Sequence, residues 1–274
     1  MGRKWKALLK GLVPPLVLAL VKKAAQPRQQ QPTWAGIYPA LGDVPVVDGT
    51  YDDARRVGEM SAHAGILLAQ IQEGKKPVLW HEMMATVAAV VAAERGGVRV
   101  LDFGGGMGTG FMHLISTLPE TARIEYDVIE MEQMCAAGRA LFVNEKRLRF
   151  HTTQLHDGER PDIVYVNSVL QYIEDYAAKL RELAALQAPW VLLVRTAAGD
   201  FPTFATRQLN LPGQVLPYWF FNRDEIVATL RDAGYALAME RLSDRSYDMS
   251  NFPETHRQER MRHLLFARTK GQAE

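Results

Sequence analysis

Residues 100–111 read VLDFGGGMGTGF. Five glycines fall within positions 104–110, straight after a β-branched run and before a helical one. Such a turn can bend sharply at the end of a strand, and the missing Cβ atoms let a ligand lie against the main chain. Two phosphate-binding readings fail on spacing. A dinucleotide fingerprint G-x-G-x-x-G needs a glycine five positions after the first, where Gly104, Gly106 and Gly108 are followed by Thr109, Phe111 and His113. A P-loop ends in Gly-Lys-Ser/Thr, whereas Gly110 is followed by Phe111 and Met112. What fits is acid-x-Gly-x-Gly-x-Gly on Asp102, Gly104, Gly106 and Gly108, with Gly105 between them. The ligand of such a turn need not carry a phosphate.

Outward from the turn, strands and helices alternate. VRVLDFG, IEYDVIE, RLRFHTT, DIVYVNSV and WVLLVRTA read as strands, with FMHLISTL, QMCAAGRALFVN and DYAAKLRELAALQ as helices between them. Runs of this kind predict an α/β fold, a mostly parallel sheet with helices on both faces. NRDEIVATLRDAGY reads as a helix with Asn222 as N-cap and Gly234 as its stop, followed by two last strands, ALAMERL and HLLFART. Upstream, residues 51–95 read as mostly helical with a break near Gly74–Pro77. The expected organisation is a segment 1–25, a proline-bearing linker 26–50, a helical cap 51–97, and a domain 98–274 with a lid 197–222.

With 274 residues, 47% hydrophobic and 23% charged, the chain suits one substantial α/β domain with additions. A net charge of +1 gives no global pull toward nucleic acid. The single cysteine, Cys135, excludes an internal disulfide and reads as a buried structural thiol. No His/Cys/Asp/Glu cluster has ligand spacing, so no metal is expected. Charge is uneven at the start: Arg3, Lys4, Lys6, Lys10, Lys22, Lys23 and Arg28 all precede the first acid, Asp43. Between the basic groups, GLVPPLVLAL (residues 11–20) is too short for a span of about twenty residues, and VKKAAQ after it lacks a signal-cleavage pattern. Two readings stay open. The segment lies on the cytoplasmic, anionic membrane face as a peripheral anchor, or it packs as an arm on its own domain.

VLDFGGGMGTG resembles the first motif of the class I S-adenosylmethionine-dependent methyltransferases, with a Rossmann-like, seven-stranded sheet. The resemblance covers about residues 98–270. It implies that Asp102 holds the methionine ammonium of S-adenosylmethionine and that the turn from Gly104 through Gly108 carries its methionine part. It also implies that Glu130, ending IEYDVIE, takes the ribose hydroxyls, with Met131 beside it; a carboxylate can accept two bonds from a diol. Asn167 and Ser168 should border the cofactor, and Thr153 and Gln154 should meet the adenine. DIVYVNSVLQYIED follows a second family pattern at Asp162, Val164, Leu170 and Asp175, with Tyr172 where a histidine often stands. A narrower resemblance, carried by TWAGIYP, VNEKRLRFHT, NSVLQYIED and FATRQLNLPGQVLPYWFFNRDEI, is to bacterial methyltransferases often associated with O-antigen and other surface-polysaccharide synthesis.

DFPTFATRQLNLPGQVLPYWFFN (residues 200–222) is expected to leave the crevice end of a strand as a lid. Arg207, Gln208, Tyr218 and Trp219, with Arg195 on the strand before, suit a saccharide or glycolipid acceptor. Aromatic rings match sugar faces, and amide and guanidinium donors match hydroxyls, phosphates or carboxylates. The plain alternative is a surface lid whose aromatics pack on the core. For catalysis, methyl transfer is an in-line displacement that positioning can drive, and a hydroxyl acceptor would gain from a base. Tyr172 and His151 are the catalytic candidates; His81, His113 and His156 are also available. Three functions remain open: methyltransferase on a cell-surface saccharide precursor, methyltransferase on a small molecule of another pathway, and a cofactor-binding scaffold.

Overall fold

The computed structural model describes residues 32–46, 54–77, 81–153, 160–210 and 214–269. The segment 1–25, Gln154 and His156 lie outside the described residues. Strand β1 (Trp34–Tyr38) precedes helices α1 (Ala54–Gln72) and α2 (Glu82–Arg95). Then come β2 (Gly97–Phe103), α3 (Thr109–Thr117), β3 (Arg123–Ile129), α4 (Glu132–Leu141), β4 (Leu148–His151) and β5 (Ile163–Asn167). After α5 (Tyr176–Ala184) and β6 (Trp190–Thr196) follow β7 (Ala198–Gly199), β8 (Phe204–Gln208) and β9 (Leu216–Asn222). Helix α6 (Arg223–Asp232) leads into β10 (Tyr235–Ser246) and β11 (Arg260–Arg268).

Seven strands form a Rossmann-like sheet in the order β10-β11-β6-β5-β2-β3-β4. β2 through β6 pair in parallel, and β11 runs antiparallel to both β6 and β10. Strands covered on both faces must be apolar on both, which is why VRVLDF reads as nearly continuous. Val100 meets Tyr126, Tyr165 and helices α1 to α4 on one face, while Leu101 meets Val164, Ile129 and helices α5 and α6 on the other. Each fully buried aliphatic or aromatic side chain here contributes about 1.5–3 kcal/mol relative to exposure. The chain leaves β2 toward β3 and β4, then returns to β5 on the other side. That reversal opens a crevice at the carboxyl ends of β2 and β5.

The helix ends follow local chemistry. Asn222 Oδ1 accepts from the N–H groups of Asp224 and Glu225 at 2.9 and 3.1 Å, capping α6 as its sequence suggests. Asp175 does the same for α5 through Ala178 N–H at 2.8 Å.

Two expectations are corrected. The stretch taken as linker contains β1, which pairs antiparallel with β8, Trp34 opposite Gln208. The stretch expected as a lid over the crevice is a hairpin, β8 against β9, inside a four-stranded sheet β1-β8-β9-β7, and its aromatics pack on the core as the alternative reading had it. The physical reason is alternation. Tyr218 and Phe220 face a third core with Trp34, Phe201, Phe204 and Phe252, while Trp219 and Phe221 face the core under α5 and α6. Phe204 and Phe220 stack at 5.2 Å with an 8° interplanar angle.

Candidate functional site

At the carboxyl end of β2 the chain turns on Gly104, whose φ of +71° and whose 2.5 Å approach to Val169, for any added Cβ, exclude a side chain. Gly104 N–H donates to Ile129 O at 2.9 Å, laying the turn across the end of β3. Beneath it lies Asp102, 1% exposed. Its Oδ2 accepts from Tyr126 Oη at 2.7 Å, and its Oδ1 is buried without a partner. Burial raises the Asp102 pKa to about 7; the Tyr126 bond opposes this, and the charge of Glu130 adds to it. An orphaned carboxylate oxygen costs about 1–3 kcal/mol unless a ligand donor or cation meets it.

Glu130 stands across the turn. Its Oε1 accepts from Gly106 N–H at 3.2 Å and its Oε2 from Met131 N–H at 2.9 Å. A carboxylate accepts at about four lone-pair sites, so bracing the turn and accepting from a ligand diol are compatible.

Two cavities meet at this turn, and a third adjoins the first of them. A cleft of about 360 Å³ lies between Asp102, the turn, Glu130, Asn167 and Ser168 on the sheet side and Arg56, Met60, His63 and Leu67 of α1. A more apolar space of about 440 Å³ runs past Ile129, Met131, Thr152, Val169 and Tyr172 to Leu216 and Pro217 of the hairpin. A third, of about 220 Å³, lies beyond His81 and Arg195, between the first turn of α2 and the β10–β11 hairpin. His81 and Arg195 line both the cleft and this third cavity.

The two residues are tied together. Arg195 Nε donates to Asn167 Oδ1 at 2.9 Å, which turns Asn167 Nδ2 toward His81 Nδ1 at 3.3 Å. Nδ1 therefore accepts, also facing Tyr165 Oη at 2.8 Å, and the imidazole proton sits on Nε2 against Thr109 Oγ1 at 3.1 Å. Burial lowers the His81 pKa to about 3, with His113 and Arg195 contributing, so the ring is neutral. Ser168 and Arg195, at the ends of adjacent strands, hold φ of +58° and +50°. Non-glycine residues there cost on the order of 1–3 kcal/mol each and cluster at functional sites.

Of the residues singled out in the sequence, Asp102, Gly104, Gly105, Gly106, Glu130, Met131, Asn167 and Ser168 line these cavities, as do Arg195 and Tyr172. Gly108 instead starts α3 with φ +72°. Thr153 is exposed and its neighbour Thr152 lines the apolar space. Neither catalytic candidate reaches the junction at His81. His151 Nε2 pairs with Asp127 Oδ1 at 2.8 Å, and Tyr172 Oη donates to Gln208 Oε1 at 2.8 Å. Tyr218 and Trp219 are 2% and 7% exposed, and Arg207 Nε donates to Ala35 O at 3.3 Å across the small sheet. None of Arg207, Gln208, Tyr218 and Trp219 lines the three cavities. His113 is buried beside His81, and Cys135 is buried with its thiol toward Glu130 O and His151 O, both 3.3 Å away. Sequence reasoning expected a helical cap over 51–97 but named none of the α1 residues in the wall, and it missed the β10–β11 wall with Arg241, Arg245, Tyr247 and His263. The second is charge-rich and reads as a solvated edge. Among the described residues no group of three His, Cys, Asp or Glu could hold a metal, and no helix is long and apolar enough to cross a membrane.

Residues 73–240 match a family described as methyltransferase domain. Nothing among the curated proteins matches the chain. Among solved structures, an amino pentose methyltransferase of calicheamicin biosynthesis from Micromonospora echinaspora is similar at 16% identity and TM-score 0.48, over 81% of this chain and 99% of that one. A Burkholderia thailandensis 1,6-didemethyltoxoflavin N1-methyltransferase aligns at 17% identity and TM-score 0.47, covering 82% and 94%. The magnesium protoporphyrin IX methyltransferase of Synechocystis aligns at 16% and 0.44, covering 80% and 100%.

Proposed function

The chain belongs to the methyltransferase-domain family, and from that premise we propose that it transfers the methyl group of S-adenosylmethionine to a saccharide or glycolipid precursor of cell-surface polysaccharide. The observation that carries the cofactor reading is the orphaned Oδ1 of Asp102 beneath the glycine turn. A buried acid with one unmet oxygen suits an ammonium, and the bare turn suits an extended chain pressed on its backbone. Asp102 would hold the amino group, the turn from Gly104 the methionine chain, and Glu130 the ribose diol. Ile129, Met131 and Thr152 would wall the adenine. When bound, this cofactor supplies a methyl group on a sulfonium sulfur, with the thioether as leaving group.

The residues around it position and exclude. Helix α1 covers the cleft from solvent through Met60 and Leu67. The Arg195–Asn167–His81–Thr109 chain fixes the ends of β5 and β6 against the start of α3. Holding an acceptor in line can supply much of such a rate. His263 is held below its ordinary pKa, chiefly by burial and then by Arg241 and Arg195, and lines the third cavity as a neutral imidazole. It is available to an acceptor hydroxyl as a base.

The basic, apolar segment 1–25 supports a peripheral seat on the cytoplasmic membrane face, where a glycolipid precursor would be met. A second reading, a small-molecule acceptor of another pathway, is favoured by the compactness of the third cavity, about 220 Å³. Titration with S-adenosylhomocysteine, NAD and ATP tests the cofactor, and tighter NAD binding would refute it. Incubation with labelled S-adenosylmethionine and cell-envelope extract tests the acceptor. Label in saccharide or lipid-linked material is expected, and label in an unrelated small molecule favours the second reading.

A further inference from the structure

We propose that the cavity of about 220 Å³ beyond His81 is the seat of the methyl acceptor, and that Arg195 there selects compact, hydroxyl-bearing molecules carrying a carboxylate or phosphate. The inference rests on the methyltransferase reading above and displaces the acceptor from the hairpin 197–222.

Position is the first ground. β5 lies between β6 and β2, so at a strand spacing of about 4.8 Å Arg195 stands roughly 10 Å from the strand that carries the glycine turn. It lines both spaces, the cleft on one side and the third cavity on the other. A group there faces what enters beside the cofactor rather than the cofactor's own chain.

Charge is the second. The Arg195 guanidinium is half-buried, commits Nε to a neutral amide, and has no carboxylate at ion-pair distance among the described residues. Other arginines of the sheet and its flanks are treated otherwise. Arg99 and Arg149 share Asp127, Arg223 and Arg262 share Glu240, and Arg241 in the cavity wall holds both oxygens of Asp244. A cation withdrawn from water without a counter-ion is costly, and here its backbone is strained as well, at φ +50°. Arg245 lies over the Tyr247 ring at 5.0 Å on the same wall. The first turn of α2 also lines the cavity and brings the positive end of a 14-residue helix to it. Glu82, exposed on that turn, and Asp244, paired with Arg241, are the opposing charges; both imidazoles, His81 and His263, are neutral.

Size is the third. Pockets for drug-sized molecules measure about 300–1,000 Å³, so one ring or the end group of a larger molecule fits. Met83, Val194 and Met261 give that ring an apolar wall, and Ser243, Tyr247 and His263 give its edges polar partners.

The test is calorimetry on the full chain saturated with S-adenosylhomocysteine, using glucose 1-phosphate, glucuronate and glucose as probes. At least one anionic sugar should bind about tenfold or more tightly than glucose, and whichever of the two wins identifies phosphate or carboxylate. Arg195→Met should erase that preference, with a smaller loss of S-adenosylhomocysteine affinity because Arg195 also lines the cofactor cleft and orients Asn167. If that variant does not fold, the wild-type preference decides alone, with Arg245→Gln expected to reduce it by about twofold to fivefold. Equal binding of glucose, no binding of either anionic sugar in the millimolar range, or cofactor-product affinity falling in step with sugar affinity would each overturn the proposal. Failure of the wild type to bind S-adenosylhomocysteine would sink the methyltransferase reading instead.

Discussion

The glycine turn and the β8–β9 hairpin flank the same crevice and solve opposite problems. In the turn, Gly104 lacks a side chain because Val169 occupies its space, and Asp102 Oδ1 is left unmet below it. In the hairpin, Tyr218 and Phe220 pack on each other and on Trp34 and Phe204, while Trp219 packs on Tyr176 on the other face. Trp34 Nε1, Thr206 Oγ1 and Trp219 Nε1 are left without hydrogen-bond partners there, but none of them lines the three cavities. What marks the turn is an unmet carboxylate that lines a cavity, whereas the unmet indoles and hydroxyl of the hairpin sheet line none of the three. Rings and amides in the hairpin look sugar-binding on paper, yet the fold spends them on its own packing.

The sharpest way to break the comparison is to empty the hairpin. Trp34→Ala removes a ring that packs on Tyr218, Phe220 and Tyr247. It should cost about 3–5 kcal/mol of stability, read by denaturant unfolding, with S-adenosylhomocysteine affinity of the folded fraction unchanged. An affinity loss of comparable size would tie the hairpin to the cofactor after all. The converse variant, Glu130→Ala, should weaken S-adenosylhomocysteine binding by about 1.5–3 kcal/mol in calorimetry, because bonds to a charged group are lost. Unchanged affinity would remove Glu130 from the ribose.

Protons give the next smaller effect. Asp102, with a pKa near 7 against an ordinary 3.8, is protonated in the ligand-free fold below pH 7. A ligand ammonium needs it ionised, so affinity should rise with pH by at most about 1.4 kcal/mol per unit and level off above 7. Ligand-free stability should move the other way. The unfolded chain releases this proton first, so stability falls as pH rises from about 3.8 to about 7. Asp102→Asn should flatten both profiles, and a retained slope in calorimetry would assign it to another group. Smallest is Arg207→Ala. It removes one long bond to Ala35 O and should change stability and cofactor affinity by less than about 1 kcal/mol each.

Most of the parallel sheet was legible because each of its elements carries its own local signal. The run VRVLDFG, the Asn222 cap and the turn spacing at Asp102 and Gly104 need no distant partner to be read. The small sheet was not, since Trp34–Tyr38 becomes a strand only by meeting residues 204–208. In isolation its glycine and flanking prolines look like punctuation. The candidate site divides the same way. Asp102 and Glu130 are placed by strand ends, whereas Arg241, Arg245 and Tyr247 reach the third cavity through a long hairpin that a solvated, charged sequence does not announce. His81 needed tertiary structure too, because nothing local puts it beside Asn167.

The pairing of β1 with β8 also sets a timetable. Trp34 and Gln208 are about 170 residues apart, and at roughly 5–20 residues per second a ribosome takes on the order of 10–35 s to cover that interval. Until then β1 is a strand without a partner, the condition in which exposed edges recruit other chains. Doubling a loop's length adds only about 0.6 kcal/mol to its closure, so the delay is one of synthesis and search rather than of final stability. The indole of Trp34, sealed at 3% exposure once the pairing is made, would then keep its water until residues 204–220 have been synthesised.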